Sequence, residues 1–269
     1  MLYTSFIEKI QLWPEGAPND NGLQGDAYER APGYLTNVNQ AEIEFFYPSK
    51  PNGMTIVVCP GGAYRFLVTQ NEGTDVACWL NSIGITAAVL YYRMPNTRPE
   101  VPISDLARAL SLVRERQAKG SESRVGVMGF SAGGHLAAIV SNRGDVRQRP
   151  DFQILFYPLI SLEESITHRG SLVNFVGKNY SKEVLDYYSP NKQVDNYSPT
   201  AFIVHSVDDK ALSYRHSKLY YNSLIDRGIS AQLHLYASGG HGWGMCEFEY
   251  AEDWKSKLLL WLSGKSIIK

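Results

Sequence analysis

A serine at the centre of a Gly-x-Ser-x-Gly pattern is the first candidate for chemistry in this sequence. Residues 129–133 read Gly-Phe-Ser-Ala-Gly, with Ser131 in the middle. The run before the serine is typical of a strand and the run after it is typical of a helix. The pattern predicts a sharp strand-to-helix turn that exposes the serine hydroxyl. The amino end of the helix would favour negative charge developing beside that hydroxyl, so we predict Ser131 as a nucleophile.

A serine hydroxyl is a weak nucleophile and needs a base nearby. His241 lies in the run Gly-Gly-His-Gly-Trp-Gly, residues 239–244, which follows the last predicted strand. A flexible loop at that place could carry an imidazole to the serine, so His241 is the predicted base. His168 is considered only as a substrate contact. The remaining histidines are predicted to be structural: His135, which would point away from Ser131 on the same helix, and His205, His216 and His234.

The base needs a carboxylate to hold its tautomer. Asp208 and Asp209 follow the predicted strand 201–206, at the place where such an acid belongs. One of the two could instead cap the next helix. The pattern alone therefore leaves the choice between them open.

Backbone N–H groups must also stabilise the oxyanion of an acyl-transfer reaction. Residues 59–64 read Cys-Pro-Gly-Gly-Ala-Tyr and follow a predicted strand. Glycines at that place let the backbone approach a substrate oxygen. An ordinary turn is the alternative for this segment taken alone.

Short β-branched or aromatic runs alternate with helical periodicity along the chain, which predicts an α/β fold. The order favours a mostly parallel central sheet with helices on both faces. The interval 161–199 holds no predicted strand, and we interpret it as a small cap-like insertion over the carboxyl edge of the sheet. The predicted strands are 43–47, 54–59, 86–92, 124–130, 152–157, 201–206 and 232–236. The predicted helices are 74–82, 104–117, 131–141, 182–188, 211–227 and 247–262.

Composition limits the classes of function. The 269 residues carry 26 Lys and Arg against 27 Asp and Glu, a net charge of −1, and 44% are hydrophobic. This balance argues against nucleic-acid or membrane partners. Three dispersed cysteines without a Cys-x-x-Cys pair support neither a zinc site nor a disulfide framework. We find no apolar run long enough for a signal peptide or membrane helix. The expectation is one soluble cytoplasmic domain over 1–269, monomeric or homo-oligomeric, without metal or cofactor.

Nearly the whole chain resembles α/β-hydrolase esterases of the hormone-sensitive-lipase and acetyl-xylan-esterase-like type. Their sugar-ester and feruloyl-esterase-like branch is the most similar. The resemblance rests on residues 12–18, 59–64, 72–73, 77–81, 92–93, 129–135, 157–158, 205–209 and 240–242. The chain order of Ser131, Asp209 and His241 is also that of α/β-hydrolases.

The resemblance implies roles for individual residues. It places the catalytic acid four residues after His205, which selects Asp209 over Asp208. It implies an oxyanion hole formed by the backbone amides of Gly62, Ala63 and Ala132. Two positions depart from the family pattern His-Gly-Gly-Gly: Pro60 replaces its histidine and Ala63 replaces its last glycine. Alanine still donates an N–H but tolerates positive φ less well than glycine.

The predicted function is a serine carboxylesterase that hydrolyses short-chain acyl esters, with acetylated sugars as the substrate class that the resemblance suggests. Tyr64, Phe175 and Trp243 are the predicted walls of its pocket. The same triad would also suit an amidase such as an arylformamidase, or a small peptidase. A non-catalytic ligand-binding protein on this fold is a further alternative, but such proteins usually lose a triad member.

Two charges are predicted to brace residues 60–64, which we call the oxyanion loop. Glu72 precedes a predicted helix and Arg93 ends a predicted strand, so both would lie near the carboxyl edge of the sheet. We hypothesise a partly buried ion pair between them. Two separate solvated charges are the alternative.

Overall fold

The computed structural model describes residues 6–117, 123–145 and 149–264. Residues 1–5, part of the segment assessed for a signal peptide, lie outside these ranges. The described strands are β1 (Phe6–Gln11), β2 (Tyr28–Ala31), β3 (Tyr34–Thr36), β4 (Glu42–Tyr47), β5 (Met54–Cys59), β6 (Phe66–Val68), β7 (Thr86–Tyr91), β8 (Arg124–Phe130), β9 (Phe152–Phe156), β10 (Thr200–Ser206) and β11 (Ala231–Tyr236). The described helices are α1 (Asp75–Ser82), α2 (Glu100–Arg116), α3 (Ser131–Asn142), α4 (Arg169–Val176), α5 (Lys182–Tyr187), α6 (Arg215–Asp226) and α7 (Ala251–Ser263).

An eight-stranded sheet forms the centre of the molecule, in the order β1-β4-β7-β5-β8-β9-β10-β11. From β7 to β11 every neighbouring pair is parallel, whereas β4 is antiparallel to both β1 and β7. The parallel strands are almost wholly buried, as continuous apolar runs predict, except β11, which lies at the edge of the sheet and is mostly half-buried or exposed. Their carboxyl ends share one edge, where this class of sheet binds its ligands.

Helices cover both faces of this sheet. Phe202 on β10 packs against Trp261 of α7, with ring centroids 5.5 Å apart. His205 lies three residues along the same strand and so points to the opposite face, where its Nδ1 is 2.7 Å from Oγ of Ser217 on α6. Every residue of α3 is buried. The predicted α/β-hydrolase fold class is thus confirmed.

The predicted elements agree with those observed except at several ends. Helix α2 begins at Glu100 rather than residue 104, because Pro102 falls in the first turn, where an N–H is not needed. The prediction missed β1, β2, β3 and β6. The last three form a separate small sheet in the order β2-β3-β6.

The interval 161–199, all of it described, holds helices α4 and α5, a 3₁₀ turn at Pro190–Lys192 and no strand. Helix α4 was not predicted, since its cap is unusual: the side chain of His168 accepts a hydrogen bond from the N–H of Ser171. Both residues border the same pocket as Ser131. Part of the interval therefore lies beside Ser131, at the carboxyl edge of the sheet. None of the described helices is long and apolar enough to cross a lipid bilayer.

Candidate active site

Ser131 lies at the junction of β8 and α3 with φ at 51°, a left-handed conformation that is strained for a residue with a side chain. The glycines around it permit this turn. A Cβ atom on Gly129 would come within 2.4 Å of the Gly133 carbonyl oxygen, and one on Gly133 within 2.1 Å of the Cys59 carbonyl oxygen. The sharp turn predicted from the sequence is present, and it directs the hydroxyl into a pocket.

His241 connects this serine to a carboxylate. Its Nε2 is 2.9 Å from Ser131 Oγ, and its Nδ1 is 2.7 Å from Oδ2 of Asp209. A carboxylate can only accept, so the proton lies on Nδ1 and the Nε2 lone pair faces the hydroxyl. The imidazole is also held by an edge-to-face contact with the ring of Tyr157, at 4.9 Å between centroids.

The carboxylate of Asp209 is saturated with donors. Oδ1 accepts the N–H groups of Ala211 and Leu212, both at 2.9 Å, and Oδ2 accepts from His241 and, at 3.2 Å, from His205. Burial alone would raise the pKa of Asp209, but the bonds from the two histidines outweigh it and hold this pKa well below its ordinary value. Asp209 is therefore ionised beside His241.

Asp208 has a different place. Its Oδ1 accepts the N–H of Gly240 at 2.8 Å, so it fixes the loop that carries His241 without contacting the imidazole. The structure thus brings Ser131, His241 and Asp209 together, in the arrangement that the sequence predicted.

His205, predicted as structural, supports the acid. Besides its contact with Asp209, its Nε2–H donates to the Leu212 carbonyl oxygen at 2.9 Å. It is completely buried. The spacing of four residues between His205 and Asp209 was the sequence signal for this contact.

Two of the three residues predicted for the oxyanion hole border the same pocket as Ser131. Gly62 and Ala63 line it, and Ala132 lies in the first turn of α3, where an N–H has no intrahelical acceptor. Gly62 has φ at 132°, and a Cβ there would come within 1.9 Å of the Phe66 carbonyl oxygen. Ala63 adopts φ at 55° despite its side chain. Asn174 Nδ2 donates to the Ala63 carbonyl oxygen at 2.9 Å, which fixes this peptide from the α4 side.

Glu72 lies buried behind the oxyanion loop and also borders the pocket. Its Oε2 accepts the N–H of Gly61 at 2.7 Å, and its Oε1 accepts the hydroxyl of Tyr157, also at 2.7 Å. Burial raises the pKa of Glu72, and these two hydrogen bonds offset part of that rise. Glu72 therefore braces the loop through Gly61 and Tyr157.

The hypothesised ion pair between Glu72 and Arg93 was wrong. Arg93 pairs with Asp105 instead, at 2.6 Å, and both side chains are buried. Asp105 lies near the start of α2, which brings it close to Arg93 just after the end of β7. The spacing of these residues in the sequence does not predict this contact. The bridge also includes the Trp13 indole, whose Nε1 donates to Asp105 at 2.7 Å.

The pocket above Ser131 has a volume of about 290 Å³. Its walls include Tyr34, Phe66, His168 and Leu212. His168, which the sequence analysis considered as a substrate contact, therefore borders the site. Tyr34 and Phe66 were missed because they lie on the three-residue strands β3 and β6, which are too short to show a period.

The three predicted wall residues do not line this pocket, which corrects the prediction. Tyr64 and Phe175 stack on each other at 4.5 Å in the core, and the Tyr64 hydroxyl donates to Nδ1 of His135. Trp243 is 5% exposed and its Nε1 donates to Ser206 Oγ. Each of these three side chains is thus held within the core by ring contacts and hydrogen bonds rather than presented to the pocket.

No group of three or more described His, Cys, Asp or Glu side chains is arranged to hold a metal ion. The described site itself offers a serine, a base with a fixed tautomer and backbone amides beside them.

Comparison with known proteins gives matches over most of the chain. A model of the prolyl oligopeptidase family matches residues 91–266. The chain is 34% identical over 235 residues to an acetylxylan esterase of Xylanibacter ruminicola, covering 85% of this chain and 49% of the relative. It is 27% identical over 260 residues to endo-1,4-beta-xylanase B of Butyrivibrio fibrisolvens, covering 90% and 39%. The chain thus spans half or less of the length of these curated relatives.

A solved structure extends the likeness. The acetyl ester-xyloside bifunctional hydrolase from Caldicellulosiruptor lactoaceticus matches with a TM-score of 0.79 at 32% identity, over 97% of both chains. Together these matches confirm the resemblance to acetyl-xylan-esterase-like α/β-hydrolases.

Proposed function

The chain belongs to the prolyl oligopeptidase family, and we propose that it acts there as a serine carboxylesterase that removes short acyl groups from esters of sugars. The observation that carries the proposal is the hydrogen-bonded series Ser131–His241–Asp209 at the base of an open pocket. The sugar part is supported by the acetylxylan esterase and the acetyl ester-xyloside hydrolase that the chain resembles.

The proposed reaction starts with the attack of Ser131 Oγ on the ester carbonyl carbon while His241 Nε2 takes the hydroxyl proton. Asp209 stabilises the resulting imidazolium. The carbonyl oxygen becomes an oxyanion that accepts hydrogen bonds from the amides of Ala132 and of Gly62 or Ala63. Collapse of this intermediate breaks the bond to the alcohol oxygen, which receives the proton from His241. Water, activated by the same histidine, then hydrolyses the acyl-enzyme and restores Ser131.

The size of the pocket supports a short acyl group. At about 290 Å³ it lies at the small end of the range for ligand pockets, and it must hold part of the alcohol as well. We therefore expect acetate esters to be preferred over octanoate esters.

The test is a panel of esters and amides given to the wild type and to Ser131→Ala. Acetates of p-nitrophenol and of xylose should be hydrolysed, with butyrate slower and octanoate slowest. Ser131→Ala should lose about 10⁶-fold in kcat, whereas Ser263→Ala, at an exposed position of α7, should match the wild type.

The name of the prolyl oligopeptidase family favours one alternative, a peptidase on the same triad. A proline-containing peptide p-nitroanilide and an aryl formamide belong in the panel for that reason. If either amide were cleaved with a higher kcat/KM than xylose acetate, the proposed activity would be that of an amidase or peptidase rather than an esterase. A wild type no faster than Ser131→Ala on every compound would favour a ligand-binding role.

A further inference from the structure

A second cavity adjoins the pocket above Ser131. Its volume is about 280 Å³, and it shares three lining residues with that pocket: Tyr34, Val68 and Asn71. We call it the distal cavity, and its remaining walls include Gln70, Asp75 and Met245. Because the same three residues border both spaces, the distal cavity lies directly beside a ligand that fills the first pocket.

The distal cavity offers unused hydrogen-bonding groups. Asp75 is partly buried, and its carboxylate forms no hydrogen bond or ion pair with the residues that the structure describes. Burial raises the pKa of Asp75, as expected for a carboxylate without a compensating donor. The side-chain amide of Gln70 is likewise without a partner in the described part of the chain. A carboxylate accepts hydrogen bonds and an amide both donates and accepts them, so the two together suit a ligand rich in hydroxyl groups.

An aromatic ring completes the chemistry. Tyr34 is 39% exposed, and its ring is supported from one side by Phe66 at 5.4 Å between centroids. An exposed ring face with polar groups around it suits a ligand that is apolar on one face and polar at its rim. A sugar ring has this character, since its C–H groups form a face and its hydroxyls form the rim.

Hydrogen bonds fix the position of the distal cavity relative to His241, the general base. Asn71 Nδ2 donates to the carbonyl oxygens of Gly242 and Trp243, and its Oδ1 accepts the N–H of Met245 at 2.8 Å. The wall between the two spaces is thus bonded to the loop that carries His241. In the proposed reaction His241 must reach the leaving alcohol oxygen, so the alcohol, rather than the acyl group, lies on the side of this loop.

We propose that the distal cavity is a binding subsite for a second sugar unit, attached to the sugar that carries the ester. This inference rests on the proposed function and adds that the substrate is an oligosaccharide ester rather than a monosaccharide ester. The groups that hold the second unit are the Asp75 carboxylate, the Gln70 amide and the ring of Tyr34.

The test compares kcat/KM for monoacetylated xylobiose and monoacetylated xylose. The wild type should prefer the disaccharide by about tenfold or more. Asp75→Ala should lower that preference by about tenfold, the usual effect of losing one hydrogen bond to a charged group, and Gln70→Ala should lower it less. Asp226→Ala, at the exposed end of α6, is the matched control and should keep the wild-type ratio.

Binding provides a second readout that does not depend on turnover. Unacetylated xylobiose should bind to Ser131→Ala in calorimetry more tightly than xylose, and adding Asp75→Ala should remove the difference. Equal kcat/KM for the two acetates in the wild type, or an Asp75→Ala variant that keeps the ratio, would overturn the subsite while leaving the esterase intact. Failure to hydrolyse even p-nitrophenyl acetate would instead overturn the proposed function, and the subsite with it.

Discussion

Two adjacent aspartates have unequal tasks at the site. Asp209 accepts four hydrogen bonds, two from backbone amides and two from histidines, whereas the one hydrogen bond described for the Asp208 carboxylate comes from the N–H of Gly240. An acid held from so many directions has one orientation, and that orientation fixes the proton of His241 on Nδ1. The surrounding backbone therefore decides which of the two residues is the acid.

Replacement of each aspartate by asparagine should separate these tasks. Asp209→Asn should lower kcat by about 10⁴, because an amide can donate to Nδ1 and hold the wrong tautomer of His241. Asp208→Asn keeps an oxygen for Gly240 and should stay within about tenfold of the wild type. Steady-state kinetics on p-nitrophenyl acetate measure both. A larger loss for Asp208→Asn would show that the register assigned to the acid is wrong.

The residues that could be predicted from the sequence are those whose neighbours are constrained. Ser131 and His241 could be identified because their turns require glycines that leave a visible pattern. The choice of Asp209 needed the family resemblance, since a hydrogen bond to a distant histidine leaves no local mark. Tyr64, Phe175 and Trp243 were misplaced because an aromatic residue in a core and one in a pocket wall have the same local sequence.

At the scale of elements, the oxyanion loop between β5 and β6 is held at both ends. Glu72 binds its N–H at Gly61, and Asn174 of α4 binds its carbonyl at Ala63. Gly62, Ala63 and Tyr64 all have positive φ. This conformation costs free energy for Ala63 and Tyr64, which carry side chains, and the two side-chain anchors offset that cost.

Substitutions at neighbouring positions of this loop should have opposite effects. Gly62→Ala places a Cβ where the Phe66 carbonyl lies, so the loop must move, and kcat should fall about 10²- to 10³-fold. Ala63→Gly removes a side chain from a strained backbone and should keep activity within about threefold, with equal or higher thermal stability. Kinetics and thermal unfolding by circular dichroism measure both variants. Wild-type activity in Gly62→Ala would mean that the oxyanion donors lie elsewhere.

The buried bridge between Arg93 and Asp105 joins β7 to α2. Arg93 also donates to the carbonyl oxygen of Asn19 at 2.6 Å, so the segment after β1 is held by the same cluster. Asp105→Asn should lower the free energy of unfolding by about 3–5 kcal/mol, because the guanidinium then stays buried without its counter-charge. The pair of Glu252 and Lys255, whose carboxylate is exposed, is the control, and Glu252→Gln should cost at most about 1 kcal/mol. If urea denaturation gave the same loss in free energy of unfolding for both variants, burial would not be what makes the Arg93–Asp105 bridge important.

Elements were predictable where they were long and periodic. The seven predicted strands all belong to the central sheet, where strands covered on both faces, such as β7, β8 and β9, show continuous apolar runs. The small sheet of β2, β3 and β6 gave no such signal, because its strands have three or four residues and β2 is fully exposed. The distal cavity and the aromatic wall of the pocket depend on this sheet, so they could only be found in three dimensions.

At the scale of the whole molecule, two buried, uncharged histidines connect separate parts of the fold through hydrogen bonds. Nδ1 of His216 on α6 accepts the N–H groups of Ile160 and Ser161, and its Nε2–H donates to the Ile166 carbonyl oxygen. His135 on α3 accepts the hydroxyl of Tyr64 and donates to the Tyr188 carbonyl oxygen. Each ring uses one nitrogen as acceptor and one as donor, which only the neutral form can do. Both connect the sheet and its helices to the interval 161–199.

This arrangement predicts that stability falls on mild acidification. Burial lowers the pKa of His135 from 6.5 to about 3 and that of His216 from 6.5 to about 4. The folded state therefore binds fewer protons than the unfolded state, so the stabilisation is complete above about pH 6.5 and is lost as the pH falls towards these lowered values. At pH 4 the loss should be about 3 kcal/mol for each histidine. Urea denaturation at pH 7, 5.5 and 4 measures this loss.

His216→Gln provides the control, since it should lower stability at pH 7 but reduce the pH slope by about 1.4 kcal/mol per pH unit, the value for one proton. Nitrogen shifts of the histidine rings in NMR should show His135 and His216 neutral at pH 5.5. A pH-independent free energy of unfolding, or either ring titrating near pH 6.5, would show that these histidines can be charged in the folded protein.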